Sequence, residues 1–192
     1  PFIPEVEGSE YAITSNEFFF LPELPKSAIV LGGGYIAVEM AGIFNSLGVE
    51  TSLLYRGEEI LRGFDLEIRT KLREEMIKKG IDVRIHHDVT EITASGDEYL
   101  LQLSDGNEMA TDCVMYATGR IANTKNIGLE ELGVNMKPNG EIIVDEYYRS
   151  NVENIFAVGD VIGGMQLTPI AIKEGAALTA TQFNDTPTFV NY

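Results

Sequence analysis

Apolar residues follow one another without a break in "SAIVL" (27–31), the pattern of a strand covered on both faces. The period then changes. In "YIAVEMAGIFNSLG", Ile36, Met40, Phe44 and Leu47 recur every three or four residues, which predicts an amphipathic helix stopped by Gly48. "VETSLLY" (49–55) reads as a second strand, completing a β-α-β unit of roughly 30 residues. Asp65 is the expected N-cap of "LEIRTKLREEMIKKG", where Ile68, Leu72 and Met76 recur at i+4 and Gly80 ends the helix. After a short strand "DVRI", the period drops to two. "VTEITA", "YLLQLS" and "EMATD" alternate around the turn signals "SGD" and "SDGN", as a small antiparallel meander does. "DCVMYATG" returns to a continuous apolar run, a fourth buried parallel strand. From about residue 122 the chain reads as loops, then strands "EIIVD" and "NIFAVGD", and a final helix from Thr168 to about Phe183. The opening segment, with three consecutive phenylalanines, reads as a connecting stretch plus a short helix after Ser15. The pattern as a whole is α/β.

Length and composition narrow the function classes. A chain of 192 residues with 44% hydrophobic content can bury a sizeable core, as one large domain or two small ones. Neither an apolar run of about 18 residues nor a basic segment followed by an apolar one is present, so no membrane span or signal peptide is indicated and a cytoplasmic location is expected. Fourteen basic residues stand against 30 acidic ones, a net charge of −16, which argues against nucleic acid and anionic membrane surfaces as partners. Any anionic ligand must be held by local cations and backbone amides. Cys113, the single cysteine, lies in the apolar run "CVMYA" and reads as a buried structural thiol. A first residue Pro1 and the ending "PTFVNY" read as a piece cut from a longer chain.

Candidate chemistry begins at Gly32-Gly33-Gly34-Tyr35-Ile36-Ala37, which fits G-x-G-x-x-A. The first glycine allows a tight turn, the second lets backbone approach a pyrophosphate, and Ala37 permits close helix-strand packing. A strand ends just before the motif and a helix starts just after it, so the helix N-terminus can offer N–H groups to phosphate; the alternative is an ordinary strand-to-helix turn. At the end of the second strand, where NAD-specific sites carry an acidic residue, the chain has Tyr55-Arg56, with Arg62 further along the same loop. Two guanidinium forks on a 2′-phosphate, at roughly 1.5–3 kcal/mol each, would favour the phosphorylated cofactor by about two to four orders of magnitude. The alternative is a pair of solvated loop arginines. Tyr35 and Glu39, four apart, share one helix face.

"GGGYIAVEMAGIFNSLGVETSLLYR", "ILRGFD", "ATGRIANT", "IIVDEYYRSNVENIFAVGD" and "LTPIAIKEG", in that order and spacing, resemble the flavin-dependent pyridine nucleotide-disulfide oxidoreductases over essentially the whole chain, most closely the members that reduce glutathione disulfide. The resemblance implies a Rossmann-like NADPH-binding domain with an antiparallel meander over residues 1–121, then residues 122–192 as the part of the FAD domain to which the chain returns. It places Gly32, Gly34, Tyr35, Ile36 and Gly119 against the cofactor and Arg56 and Arg62 on its 2′-phosphate. Tyr35, implied to cover the nicotinamide pocket, and Glu39, implied to pair with a lysine beside the flavin, are the catalytic candidates. Asp160 is implied to bind the flavin's ribitol hydroxyls, and Thr168 to start the helix aimed at its pyrimidine edge. Many relatives carry a histidine or lysine where this chain has Gly57.

The resemblance also implies segments outside the chain: a first glycine motif for FAD, a redox cysteine pair, the lysine partner of Glu39, and a C-terminal dimerisation domain with a catalytic histidine. The 192 residues alone are therefore expected to bind NADPH without reducing a disulfide, and the parent to be a homodimer. Mercuric reductase, trypanothione reductase and dihydrolipoamide dehydrogenase share the scaffold with other acceptors; the last would need an acidic residue at Tyr55-Arg56. A non-catalytic NADPH-sensing module is the reading from another class, and it has no use for Asp160 or "LTPIA". No metal site is expected. His86-His87 read as surface residues, and the charges of "REEMIKK" as the solvated face of a helix.

Overall fold

Strand β1 (Ser27–Leu31) is flanked in a four-stranded parallel sheet by β2 (Glu50–Tyr55) on one side and, across the chain, by β7 (Cys113–Tyr116) on the other; β3 (Asp82–Ile85) forms the edge beyond β2. A computed structural model describes all of residues 1–192. Alternation along β1 explains its unbroken apolar run. Ala28 and Val30 enter a core with Met40 and Phe44 of helix α2 (Tyr35–Ser46), while Ile29 and Leu31 enter a second core with Val89, Ile92, Leu101 and Leu103. Those four belong to β4 (Val89–Ser95) and β5 (Glu98–Leu103), which with β6 (Glu108–Thr111) make the antiparallel meander covering the other face. The fold is thus α/β, a parallel sheet with helices on one face and an antiparallel sheet on the other.

Local chemistry sets the helix ends. Thr14 caps α1 (Ser15–Phe18) in a reciprocal box with Glu17, whose carboxylate accepts from the Thr14 N–H at 2.8 Å and is held below its ordinary pKa by the Thr14 bonds. Phe18 packs edge-on against Phe44, ring centroids 4.8 Å apart. Asp65 caps α3 (Leu66–Lys78), its carboxylate accepting from the Glu67 and Ile68 N–H groups at 3.0 and 3.4 Å. Leu47, expected on the buried face of α2, is instead exposed, because it lies past the last helical turn; Ala37, Met40, Ala41 and Phe44 form that face. On α3, Met76 is buried whereas Ile68 is exposed.

Two compact units divide the chain, Pro1–Arg120 and Ile121–Tyr192. The second is built around Leu129, Val134, Ile142 and Ala157, with helix α4 (Thr168–Phe183). The strands expected at "EIIVD" and "NIFAVGD" do not form. Single bridges, Met136 to Ile142 and Arg149 to Phe156, take their place. The N–H groups of Ile142, Ile143 and Asp145 donate to three separate loop carbonyls, those of Val161, Asn135 and Arg149, so each is satisfied without a ladder.

Candidate functional site at the carboxyl ends of the parallel strands

Three chain segments converge where β1, β2 and β7 end: the turn at Gly32–Gly34, the loop that leaves β2 at Tyr55, and residues 117–119 leaving β7. This edge of an open parallel sheet is where α/β folds place ligands. The Gly32 N–H donates to the Leu54 carbonyl at 2.9 Å, and the Ala117 N–H to the Leu31 carbonyl at 2.8 Å, which ties the turn to both neighbours. Gly32 has φ +142°, and a Cβ there would lie 2.3 Å from the Ala117 oxygen. Only glycine fits. Helix α2 starts from Gly34 as its N-cap, with no side chain capping it and with the Val38 N–H making the first bond back, to the Gly34 carbonyl at 3.2 Å. The amides of Tyr35, Ile36 and Ala37 therefore precede the helical ladder and face outward with the positive end of the helix dipole. A Cβ at Gly34 would meet nothing within 4 Å. The turn is thus a cradle open to an anion at its helix end.

Tyr55 couples this cradle to the next loop. Its ring would be struck at 2.5 Å by a Cβ at Gly33 and equally at 2.5 Å by one at Gly57, so the ring lies against both glycines. With the Tyr55 ring in this position, a Cβ at 57 would collide with it, and glycine fits beside the ring. Beyond it, the Leu61 N–H donates to the Gly33 carbonyl at 2.6 Å, and Leu61 adopts a left-handed conformation, φ +53°, to do so. Arg56 and Arg62 stand on either side of this pinned stretch, exposed and without a carboxylate partner in the chain. In a protein of net charge −16, two unpaired arginines on a loop tied to the glycine turn are local cations that an anion could meet.

Tyr35 is 45% exposed at the first position of α2, and Glu39 is exposed one turn on. Gly119, φ +135°, leaves β7 with its carbonyl accepting from the Phe2 N–H at 2.8 Å. The structure therefore brings Gly32, Gly34, Tyr35, Ile36, Arg56, Arg62 and Gly119 to one edge of the first unit. Asp160 and Thr168 belong to the second. There the short helical turn Gly159–Ile162 packs on α4, and the carboxylate of buried Glu174 accepts from the Gly159 N–H at 2.6 Å and from the Tyr192 hydroxyl. Asp160 and the start of α4 are both exposed, and the N-cap position of α4, Leu167, offers no side-chain cap.

Several residues of the site were not anticipated from the sequence. Glu59 is buried and accepts from Arg73 Nε at 3.0 Å on both oxygens, so Arg73 of "REEMIKK" is not a solvated charge. Arg69 donates from Nε to the Ile60 carbonyl at 2.7 Å and from a terminal nitrogen to the Glu59 carbonyl at 2.8 Å. Their i,i+4 spacing, one face of one helix, was the available signal. His86 is exposed, while His87 is held between the Ile85 carbonyl, 2.7 Å, and Asp105, 3.1 Å. Cys113 is buried and its thiol is pushed up to about 11 by desolvation and by Asp112, the state of an inert structural cysteine.

No helix is long and apolar enough to cross a membrane. A family model, pyridine nucleotide-disulphide oxidoreductase, matches residues 1–175. Among curated relatives, glutathione reductase of Burkholderia cepacia is 46% identical over 183 residues, 95% of this chain and 41% of that protein. Trypanothione reductase of Trypanosoma congolense is 40% identical over 97% of the chain and 39% of its own length. Chloroplastic/mitochondrial glutathione reductase of Pisum sativum is 44% identical over the whole chain and 35% of its own length. The chain thus spans about two fifths of these relatives. The solved HOCl-induced flavoprotein disulfide reductase RclA from Escherichia coli superposes with a TM-score of 0.93 at 26% identity, over 98% of this chain and 44% of that one. With a family model matched over residues 1–175 and relatives 40–46% identical over nearly the whole chain, the chain belongs to the pyridine nucleotide-disulphide oxidoreductase family.

Proposed function

We propose that residues 1–121 are the NADPH-binding domain, and residues 122–192 the returning FAD-domain segment, of a cytoplasmic flavoprotein disulfide reductase. The observation that carries this reading is the pair Arg56 and Arg62, exposed and unpartnered on a loop that Leu61 pins to the glycine turn at 2.6 Å. The cradle fits a dinucleotide: open space at Gly34 admits a pyrophosphate to the amides that begin α2, and the two arginines supply forks for a 2′-phosphate. A carboxylate in their place would accept from a ribose 2′-hydroxyl, so the loop selects the phosphorylated form.

Roles follow for the other residues. Tyr35, exposed at the first helical position, covers the nicotinamide pocket and yields to the cofactor; Glu39, a turn further on, awaits a lysine beside the flavin. Gly119 leaves room at the exit of β7. In the second unit Asp160 accepts from the ribitol hydroxyls of FAD, and α4, starting at Thr168, directs its dipole to the flavin. When bound, NADPH supplies a hydride and FAD passes the electrons on to a redox disulfide. Glutathione disulfide is the acceptor in this reading, supported by the 46% and 44% identities to glutathione reductases, and the parent is a homodimer. A trypanothione-type acceptor is the second reading, resting on the 40% relative.

Calorimetric titration of the chain with NADPH and NADH, repeated on Arg56→Ala/Arg62→Ala, tests the proposal. A preference for NADPH of about 100-fold or more, abolished in the double variant, supports it. Equal affinities for the two cofactors would contradict it.

A further inference from the structure

Two arginines of the β2–α3 region bind nothing in the chain, and two others are fully engaged with it. Arg69 and Arg73 rise from the first and second turns of α3 and close on the middle of the loop that carries Arg56 and Arg62. Arg69 spans two successive carbonyls, those of Glu59 and Ile60, at 2.8 and 2.7 Å. Arg73 takes the Glu59 carboxylate, which also accepts from the Thr70 hydroxyl at 3.4 Å and from the Ile60 N–H at 3.1 Å. Between these bonds Ile60 is completely buried in the core under α2. On the other side, the Leu61 N–H reaches the Gly33 carbonyl. Residues 59–61 are therefore held from α3, from the core and from the glycine turn at once. Arg56 and Arg62 each lie three positions from Glu59, one on either side of the anchored stretch.

We propose that Arg69 and the Arg73–Glu59 pair are positioning residues that hold Arg56 and Arg62 in register for a 2′-phosphate, and so set the selectivity for the phosphorylated dinucleotide from outside the contact surface. The physical logic is preorganisation. A flexible loop would have to order both guanidiniums at the moment of binding, at a conformational cost that falls only on the ligand carrying the phosphate. A planar guanidinium bridging two consecutive carbonyls fixes the backbone between them as a single ammonium cannot. The anchoring bonds are spent on main chain and on Glu59, so they do not compete for the ligand.

This rests on the reading of Arg56 and Arg62 as the 2′-phosphate site, and the experiment separates the two. The quantity read is the ratio of NADH to NADPH dissociation constants for the chain, with NADH affinity as the control for the glycine cradle. Arg69→Met is expected to lower the ratio about tenfold, the worth of roughly one misplaced charge-assisted contact, while NADH binding stays within about twofold. Arg69→Lys, keeping the charge but not the planar fork, is expected to recover part of the loss. The neutral pair Glu59→Gln/Arg73→Gln, which strands no buried charge, is expected to lower the ratio as well. An unchanged ratio in these variants, beside a ratio collapsed by Arg56→Ala/Arg62→Ala, overturns the positioning role alone. Parallel weakening of NADPH and NADH overturns it too, because that is a structural effect. A wild-type ratio near one overturns the site and the positioning role together.

Discussion

Replacing Gly32 or Gly34 by alanine adds one methyl group to the same turn, yet the structure assigns the two changes opposite consequences. At Gly32 the added Cβ would lie 2.3 Å from the Ala117 carbonyl oxygen and 2.8 Å from its carbon, and the residue must keep φ +142°. Main chain cannot step aside as a side-chain tip can, so β1 and β7 must part at the site and stretch the Ala117 to Leu31 bond. Backbone strain of about 1–3 kcal/mol and overpacking of about 1–3 kcal/mol together remove about 2–6 kcal/mol. At about 2–4 °C per kcal/mol for a chain of this size, the melting temperature falls by on the order of 10 °C. At Gly34, with φ −83° and open space around it, the fold loses only a glycine N-cap, about 0.5 kcal/mol. In the proposed dinucleotide site the methyl group would stand in the open space that the pyrophosphate needs. Losing one amide-to-phosphate bond of about 1.5–3 kcal/mol weakens binding roughly 10- to 100-fold. Thermal melts by circular dichroism together with NADPH fluorescence titrations measure both quantities. Gly34→Ala binding like the wild type, or Gly32→Ala melting like it, would show that these two glycines do not divide their roles in this way.

Three further outcomes are expected. Tyr116 is buried with a hydroxyl that has no hydrogen-bond partner, so Tyr116→Phe should raise stability by about 1 kcal/mol or more in urea unfolding; a loss of similar size would show a hidden partner. Burial pushes the Tyr116 phenol from 10.0 up to about 12 and the Cys113 thiol from 9.0 up to about 11. The unfolded chain therefore releases these protons first, and stability should fall as pH rises from about 9 to 12, less steeply in Cys113→Ala/Tyr116→Phe. Asp65→Ala removes the cap on two amides of α3 and should cost about 1 kcal/mol in the same unfolding assay.

How much of this was legible beforehand depends on whether a residue acts through its own type or through its neighbours. The unbroken run in β1 announced two covered faces, because alternate residues meet α2 and the meander. Asp65 was legible as a cap, and Gly32 and Gly34 as a turn, since their roles are fixed by local backbone geometry. Leu47 misled because periodicity continues past the point where a helix ends. "EIIVD" and "NIFAVGD" carry strand-like composition, but a strand also requires a neighbour to ladder with, and that is not written in the segment itself. Arg69 and Arg73 were hidden for a related reason. Arg69 binds main-chain carbonyls, which every loop residue possesses, and Arg73 binds a glutamate 14 positions earlier in a charge-rich stretch. Only the fold brings them onto residues 59 and 60. The steric link between Tyr55 and Gly57 was equally invisible, since it needs the direction of the ring.

Phosphorus NMR of NADPH titrated into the chain reads the two ends of the proposed site separately, because the pyrophosphate and the 2′-phosphate give separate resonances. Both are expected to be displaced on binding, and the 2′-phosphate, if held by Arg56 and Arg62, to titrate at lower pH than in free solution. A pyrophosphate that shifts while the 2′-phosphate keeps its free position and titration would contradict the proposed site.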